Sequence, residues 1–230
     1  MLKTDNECLE FINYCLKNGI DNENILNLNN RDNFAKTISN AFNGYPVIEY
    51  SFNGRYKEKT FHRMLKIDFK SRIGKTIGIA SKNFESTLLI EKSTAKKTGS
   101  FQYLKAIDLK SFYLLFKPAT LRQNAFEKYA FKKRKKYIDD NTWYIYIFAT
   151  KKEFQRQGYG KSLMNLVISF AKEYKYNICL ETDLKDNIKI YENFGFRLVD
   201  SSIYKNCIEH FVFYYKYNKD EIENEKGFDT

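Results

Sequence analysis

Glycine is scarce in this chain, with ten in 230 residues, and so are cysteine (four), histidine (two), proline (two) and tryptophan (one). The cysteines, Cys8, Cys15, Cys179 and Cys207, form no CxxC pair, and His62 and His210 stand near no cysteine cluster. That pattern argues against a zinc site, and no metal is expected. No run of about 18 apolar residues exists, which excludes a membrane-spanning helix. The start, MLKTDNECLEFINYC, lacks the basic opening, apolar centre and small-residue cleavage site of a signal peptide. The expected location is the cytoplasm, with no membrane partner. No internal repeat is visible.

What is present is a packable chain. Hydrophobic residues make up 43% and aromatics 17%, which argues for a globule and against disorder. At this length one domain is expected, burying about 70% of the surface of its unfolded chain. Cys8 and Cys15 are seven apart, the spacing of one helix face, and read as reduced core thiols.

The net charge of +11 invites a nucleic-acid reading. Lys greatly outnumbers Arg, however, and Asn, Ile, Tyr and Phe are also abundant, as a general compositional bias would produce. The densest run, FKKRKKY at 131–137, lies in a charge-rich stretch from Arg122 to Asp140 with helical character. It reads as a solvated face, with an RNA or anionic-surface contact as the minority alternative.

Hydrophobic periodicity predicts a helix over 6–18, ended by Gly19, a possible short strand at 24–29 and a helix from about 31 to 43 capped by Asp32. Asn43-Gly44-Tyr45-Pro46 breaks the chain before a helix over 56–72. TIGIAS and STLLIE, at 76–81 and 86–91, read as a hairpin around Lys82-Asn83. A polar loop at 93–99 precedes helices at about 101–116 and 121–138. WYIYIFAT (143–150) is apolar on both alternating faces, with Trp143, Ile145, Ile147 and Ala149 on one and Tyr144, Tyr146, Phe148 and Thr150 on the other, as in a central strand. KSLMNLVISFAKEY has the strongest helical pattern in the chain. NICLET (177–182) is a further buried strand, followed by a short helix at 186–194 and strands near 196–203 and 207–216. The tail from Asn218 is polar.

Two of the scarce glycines lie two positions apart in FQRQGYGKSL (154–163), just before the strong helix. First-turn N–H groups have no intrahelical partner and carry the positive end of the dipole, so this layout suits an anion. A P-loop would need a glycine where Gln155 stands, and the dinucleotide pattern GxGxxG one where Leu163 stands; both fail. The pattern [QR]xxGx[GA] is met by Gln155, Gly158 and Gly160, and NIKIYENFGFRLV (187–199) follows about 27 residues later. Together with the intervening ICLET, these segments resemble the two signatures of the GCN5-related N-acetyltransferase (GNAT) superfamily. The likeness runs from Trp143 to about Val199.

The resemblance implies an α/β (α+β) fold, a mixed and mostly antiparallel sheet splayed between its fourth and fifth strands and flanked by helices. It implies one domain over 1–217: an extra N-terminal helix within 1–22, a helical insertion at 92–141, an acetyl-CoA-binding core at 143–199, and a tail at 218–230. It implies acetyl-CoA as co-substrate and an amine acceptor, in a monomer or homodimer. Main-chain atoms of Phe148, Ala149 and Thr150 would pair with pantetheine and supply an oxyanion donor. Gln155, Arg156, Gln157, Gly158, Tyr159, Gly160, Lys161 and Ser162 would surround the pyrophosphate, and Asn187 would bond pantetheine or a phosphate. Tyr191 would be the general acid that protonates the leaving thiolate.

WYIYIFAT has no carboxylate, so Glu181, at the end of ICLET, is the first candidate for general base. An exposed strand-end carboxylate, a substrate ammonium contact and a water chain are its alternatives; Cys179 as an acylated nucleophile is a minor one. The acceptor groove would be walled by the helices at 31–43 and 56–72 and by the last strands. Those segments hold Arg55, Lys57, Lys59, His62, Arg63 and Lys66 with few carboxylates, which mildly disfavours a polycationic acceptor. A sensor that binds a coenzyme A derivative without turnover, or a basic RNA-contacting module, is the competing class.

Overall fold

The computed structural model describes residues 6–93 and 100–217, with side chains from 103 onward in the second stretch. The loop expected at 93–99, beyond Ser93, and the tail expected from 218 lie outside the described residues. Eight α-helices and six strands are described: α1 Asn6–Lys17, α2 Arg31–Ala41, α3 Pro46–Phe52, α4 Glu58–Arg72, β1 Thr76–Ala80, β2 Ser86–Lys92, α5 Ser100–Ala106, α6 Pro118–Arg134, β3 Thr142–Thr150, α7 Tyr159–Tyr174, β4 Asn177–Thr182, α8 Asn187–Asn193, β5 Arg197–Tyr204 and β6 Ile208–Tyr215.

The six strands form one open sheet in the order β1-β2-β3-β4-β6-β5. Only β3 and β4 run parallel; every other neighbouring pair is antiparallel. The fold is therefore the mixed, helix-flanked sheet that the sequence implies.

Helices cover both faces of the sheet. On one face α1, α7 and α8 pack over β1–β4 and β6 around Phe11, Trp143, Met164, Phe170 and Phe213. The extra helix α1 belongs to this layer: Phe11 meets Phe170 at 4.8 Å and Trp143 at 5.6 Å between ring centroids. Cys8 and Cys15 are buried in the same core, on the helix face their spacing indicated. On the other face α2, α3 and α4 pack around Phe34, Ile38, Phe61, Leu65 and Phe69.

Four expectations about elements change. The strand expected at 24–29 shrinks to an isolated bridge between Ile25 and Ile79. Asn27 and Asn30 fold that segment by bonding its backbone N–H groups, at 2.8 Å each to Asn29 and Asn27, and such local bonds compete with a ladder. Pro46 does not merely break the chain; it occupies the first turn of α3, where a missing N–H costs nothing. Asn30, not Asp32, is the N-cap of α2, and Asp32 instead salt-bridges Lys36 and Lys66. The helix expected at 101–116 divides into α5 and a 3-10 turn at Leu109–Phe116, separated at extended Asp108.

Candidate active site

The splay falls between β3 and β4, the third and fourth strands here because the first expected strand is only a bridge. Pairing of β3 with β4 runs from Thr142↔Asn177 to Ile145↔Leu180 and stops there. The cause sits on the other side of β3. Leu89 pairs with Ile147 and Ile90 with Ile145, so Tyr146 is an extra, bulged residue. A bulge bends its strand and shifts the side-chain alternation by one. Ile147 and Ala149 consequently join the α2–α4 core, whereas Trp143 and Ile145 lie in the α1–α7 core. The expected strict alternation along WYIYIFAT fails at this residue. Beyond it the edge of β3 facing β4 is open, and Phe148, Ala149 and Thr150 lie along it.

A cavity of about 1160 Å³ occupies the gap and passes from the α7 N-terminus to the α2–α4 face of the sheet. At its first end, Arg156 (φ +62°) and Gly158 (φ +90°) are both left-handed, which turns the chain sharply into α7. Gly158 is the N-cap and has no side chain to cap the first-turn amides. Gly160 lets the helix approach β3: a Cβ there would lie 3.0 Å from both Phe148 Cζ and Thr150 Oγ1. The Gln155 amide donates to Thr150 O at 3.3 Å and ties the turn to the open strand. An uncapped, cavity-facing helix start with two cations beside it fits a diphosphate.

Of the residues singled out in this turn, Gln155, Arg156, Gly158, Tyr159, Gly160 and Lys161 line the cavity. Gln157 and Ser162 do not. Gln157 Nε2 bonds Glu153 O at 3.0 Å, and Ser162 bonds Gly158 O through its N–H at 3.0 Å and its hydroxyl at 3.2 Å. Asn165, one turn further along α7, lines the cavity and was missed by sequence reasoning, since it reads as an ordinary polar helix residue.

Across the gap, Asn187 at the start of α8 donates to Thr182 Oγ1 at 2.9 Å, fixing that short helix to the end of β4. Tyr191 follows one turn later, 7% exposed and packed on Phe213, with its side chain on the cavity wall. Burial pushes its phenol well above the ordinary range and keeps it protonated.

Residues 134–216 match the family described as acetyltransferase (GNAT) domain. That segment, from the end of α6 through β6, is similar to a GNAT acetyltransferase domain. Solved structures agree in fold. The C-terminal condensation domain of Ebony in complex with beta-alanyl-dopamine superposes with a TM-score of 0.58 at 11% identity, covering 84% of this chain and 96% of that one. A histone acetyltransferase HPA2 and related acetyltransferase from Corynebacterium glutamicum gives 0.55 at 13% identity, covering 84% and 96%. Arylalkylamine N-acetyltransferase 2 from Aedes aegypti gives 0.50 at 14%, covering 85% and 100%. No curated protein matches in sequence. The match supports acetyl transfer in general terms.

The far half of the cavity is rich in ion pairs. Glu181 is not a free strand-end carboxylate; its side chain is 9% exposed. Its Oε2 accepts from Arg134 Nη1 at 2.9 Å and from Tyr144 Oη at 2.8 Å. Burial alone would raise its pKa, but His210, Arg134 and Tyr144 together outweigh burial and hold it below the ordinary carboxylate range. Arg134 also donates to Glu127 at 2.6 Å. His210 is 1% exposed, with Nδ1 at 2.9 Å from Asp183 Oδ1 and Nε2 at 3.5 Å from Glu181 Oε1. Burial lowers its pKa, yet the two carboxylates prevail and push it up to about 9. Sequence reasoning missed His210 and Asp183. One lies in a strand and the other in a turn, 27 residues apart, and only the pairing of β4 with β6 brings them together.

Cys179 is fully buried among Tyr144 and Val212, and burial pushes its thiol well up. A thiol so held is a poor nucleophile.

The expected cationic groove wall is corrected as well. Arg55, Lys57, Lys59, His62, Arg63 and Lys66 are all absent from the cavity lining. The α4 face that does line it carries Phe61, Met64, Leu65, Asp68 and Arg72, at the spacing of one helical stripe. Asp68 accepts from Arg72 Nε at 3.0 Å and from Tyr146 Oη at 3.1 Å.

Proposed function

We propose that this protein transfers the acetyl group of acetyl-CoA to a primary amine of a small molecule or peptide, by direct attack while both substrates are bound. The observation that carries this reading is the cavity itself. One space joins the uncapped start of α7, the open edge of β3, the phenol of Tyr191 and a set of buried carboxylates.

Acetyl-CoA, when bound, supplies an activated thioester. The first-turn amides at Tyr159, Gly160 and Lys161, with the side chains of Arg156 and Lys161, hold its diphosphate. The main chain of Phe148, Ala149 and Thr150 pairs with pantetheine, and one N–H of that edge donates to the thioester oxygen. Asn187 orients the pantetheine arm from α8. Gln157 and Ser162 take no direct part, because their hydrogen bonds turn them to the loop and helix backbone.

The amine needs to lose a proton and the thiolate to gain one. Glu181 accepts the first proton, assisted by His210 across the 3.5 Å between their free atoms, and Tyr191 donates the second. A C–N bond forms, the C–S bond breaks, and solvent restores both groups. Support for Tyr191 as donor comes from its burial, which keeps it protonated, and from its place beside the gap.

Thiol release from acetyl-CoA over an amine panel, comparing wild type with Tyr191→Phe, tests the proposal. Release that depends on an amine and falls in the variant is expected. Tight coenzyme binding with no release on any amine would replace it with the sensor reading.

A further inference from the structure

Twelve large hydrophobic side chains stand exposed among the described residues, and six of them fall between Leu104 and Leu121. They are Leu104, Leu109, Phe112, Tyr113, Phe116 and Leu121, with Leu109 93% and Phe116 69% exposed. A single exposed leucine is ordinary, but half of the set in one short stretch is a patch.

The backbone builds it. Leu109–Phe116 is a 3-10 turn, in which side chains three apart eclipse one another. Ser111 and Leu114 form its inward column, and Leu114 packs with Met64 and Ile67 of α4. The outward columns hold Leu109 with Phe112 and Tyr113 with Phe116, and the rings of Phe112 and Phe116 meet at 5.7 Å between centroids. Thr120, in the first turn of α6, donates to Leu114 O at 2.6 Å and pins the end of the turn. Leu121, the next residue, is 57% exposed.

The charges in this stretch have nearly one sign. From Tyr103 to Arg122 the sequence carries Lys105, Lys110, Lys117 and Arg122 against the single carboxylate of Asp108. Lys117 Nζ lies 5.1 Å from the Tyr113 ring centroid, so cation and apolar surface are interleaved. Hydrogen bonding from Ser111, with lesser help from the charges of Arg63 and Lys70, holds the Asp108 carboxyl below the ordinary carboxylate range. Two cations of α4 therefore act at the same edge.

A second copy of this chain would set like charge against like across the patch. A nucleic acid would match the charge but leave Leu109 and Leu121 against phosphate and water. A surface that is anionic outside and hydrocarbon beneath answers both features. We propose that the turn at Leu109–Phe116, with Leu121, seats on an anionic lipid surface, its apolar columns at the acyl boundary and Lys110 and Lys117 among the headgroups. The contact is interfacial, since among the described residues no helix is long and apolar enough to cross a membrane. The seated face borders the cavity, because Met64, Tyr103 and Thr120, which pack on the turn or follow it, line that space.

Co-sedimentation of the full chain with vesicles of phosphatidylcholine alone, or with roughly 30% phosphatidylserine added, tests the proposal. Binding to the anionic vesicles is expected to be at least about tenfold tighter than to the neutral ones, and to weaken as salt rises. Lys110→Glu combined with Lys117→Glu should weaken it about 25-fold or more, at about fivefold for each cation lost. Leu109→Ser combined with Phe116→Ser keeps every charge and should weaken it at least about tenfold. Equal binding of the wild type to both vesicles, or binding to neither, overturns the proposal, and that comparison holds even if a variant folds poorly. Full binding by the Leu109 and Phe116 double variant overturns it as well. So does a dimer of the wild type that this variant abolishes, which would assign the patch to a second copy. The vesicle readout needs no turnover, so it stands or falls separately from acetyl transfer.

Discussion

Arg134 and Glu181 meet at 2.9 Å, the first from the last turn of α6 and the second from the end of β4. Both are at least nine-tenths buried in their side chains, and Arg134 is shared with Glu127. Such a pair is costly to desolvate and costlier to break. It also fixes where the carboxylate points, because the guanidinium binds Oε2 and leaves Oε1 facing His210.

Removing one member should therefore be worse than removing both. Arg134→Leu leaves Glu181 buried with one cationic partner fewer, and a loss of about 3–5 kcal/mol in denaturant unfolding is expected. Arg134→Leu combined with Glu181→Leu should recover most of that stability while losing acetyl transfer. A double variant less stable than the single would show that the pair contributes net stability.

Tyr191→Phe removes only a hydroxyl from a well-packed ring. Turnover should fall about 100-fold or more, in the range of a positioned general acid. Coenzyme affinity, read by calorimetry, should stay within about twofold, since the ring's contacts with Phe196 and Phe213 remain. An unchanged turnover would assign the thiolate's proton to solvent.

The glycine turn separates strain from crowding. At Gly158 an added Cβ meets nothing within 4 Å, but φ is +90°, so Gly158→Ala should cost about 1–2 kcal/mol through the backbone alone. At Gly160 the Cβ would press on Phe148 and Thr150 at 3.0 Å, so Gly160→Ala should push α7 off β3. A loss of about 1–3 kcal/mol and a clear drop in coenzyme affinity are expected there. Thermal melts and coenzyme titrations on both variants check this. Full coenzyme affinity in Gly160→Ala would count against the diphosphate site.

His210 makes stability depend on pH. Its pKa rises from about 6.5 in the unfolded chain to about 9 in the fold. The contribution is complete below about pH 6.5 and fades as pH climbs through 9. Unfolding free energy should fall across that window by something on the order of 1–3 kcal/mol, and the slope should vanish in His210→Gln. A flat wild-type profile would mean that the imidazole is already neutral at pH 7, between two ionised carboxylates.

Much of the donor half was legible from the chain. The turn at 155–161, the strand before it and the Asn187–Tyr191 helix are local. Their physics, left-handed glycine, exposed first-turn amides and a four-residue helical spacing, can be read from neighbours in sequence. The acceptor half was not. Arg134 sits in a run of lysines that reads as solvated, and it is the one residue of that run turned fully inward. His210 reads as an isolated histidine, and the cations expected in the groove lie on the wrong side of α4.

The amino-acid pattern alone pointed to the mixed, helix-covered sheet and to the glycine-led, uncapped start of α7, because each arises from residues within a few positions of one another. The tertiary structure decided which charges share a cavity. It did so through a single bulge at Tyr146, which opens β3 from β4, and through β6, which carries His210 to Asp183. Charges separated by dozens of residues interact only once the sheet has closed the distance, and no local pattern records that.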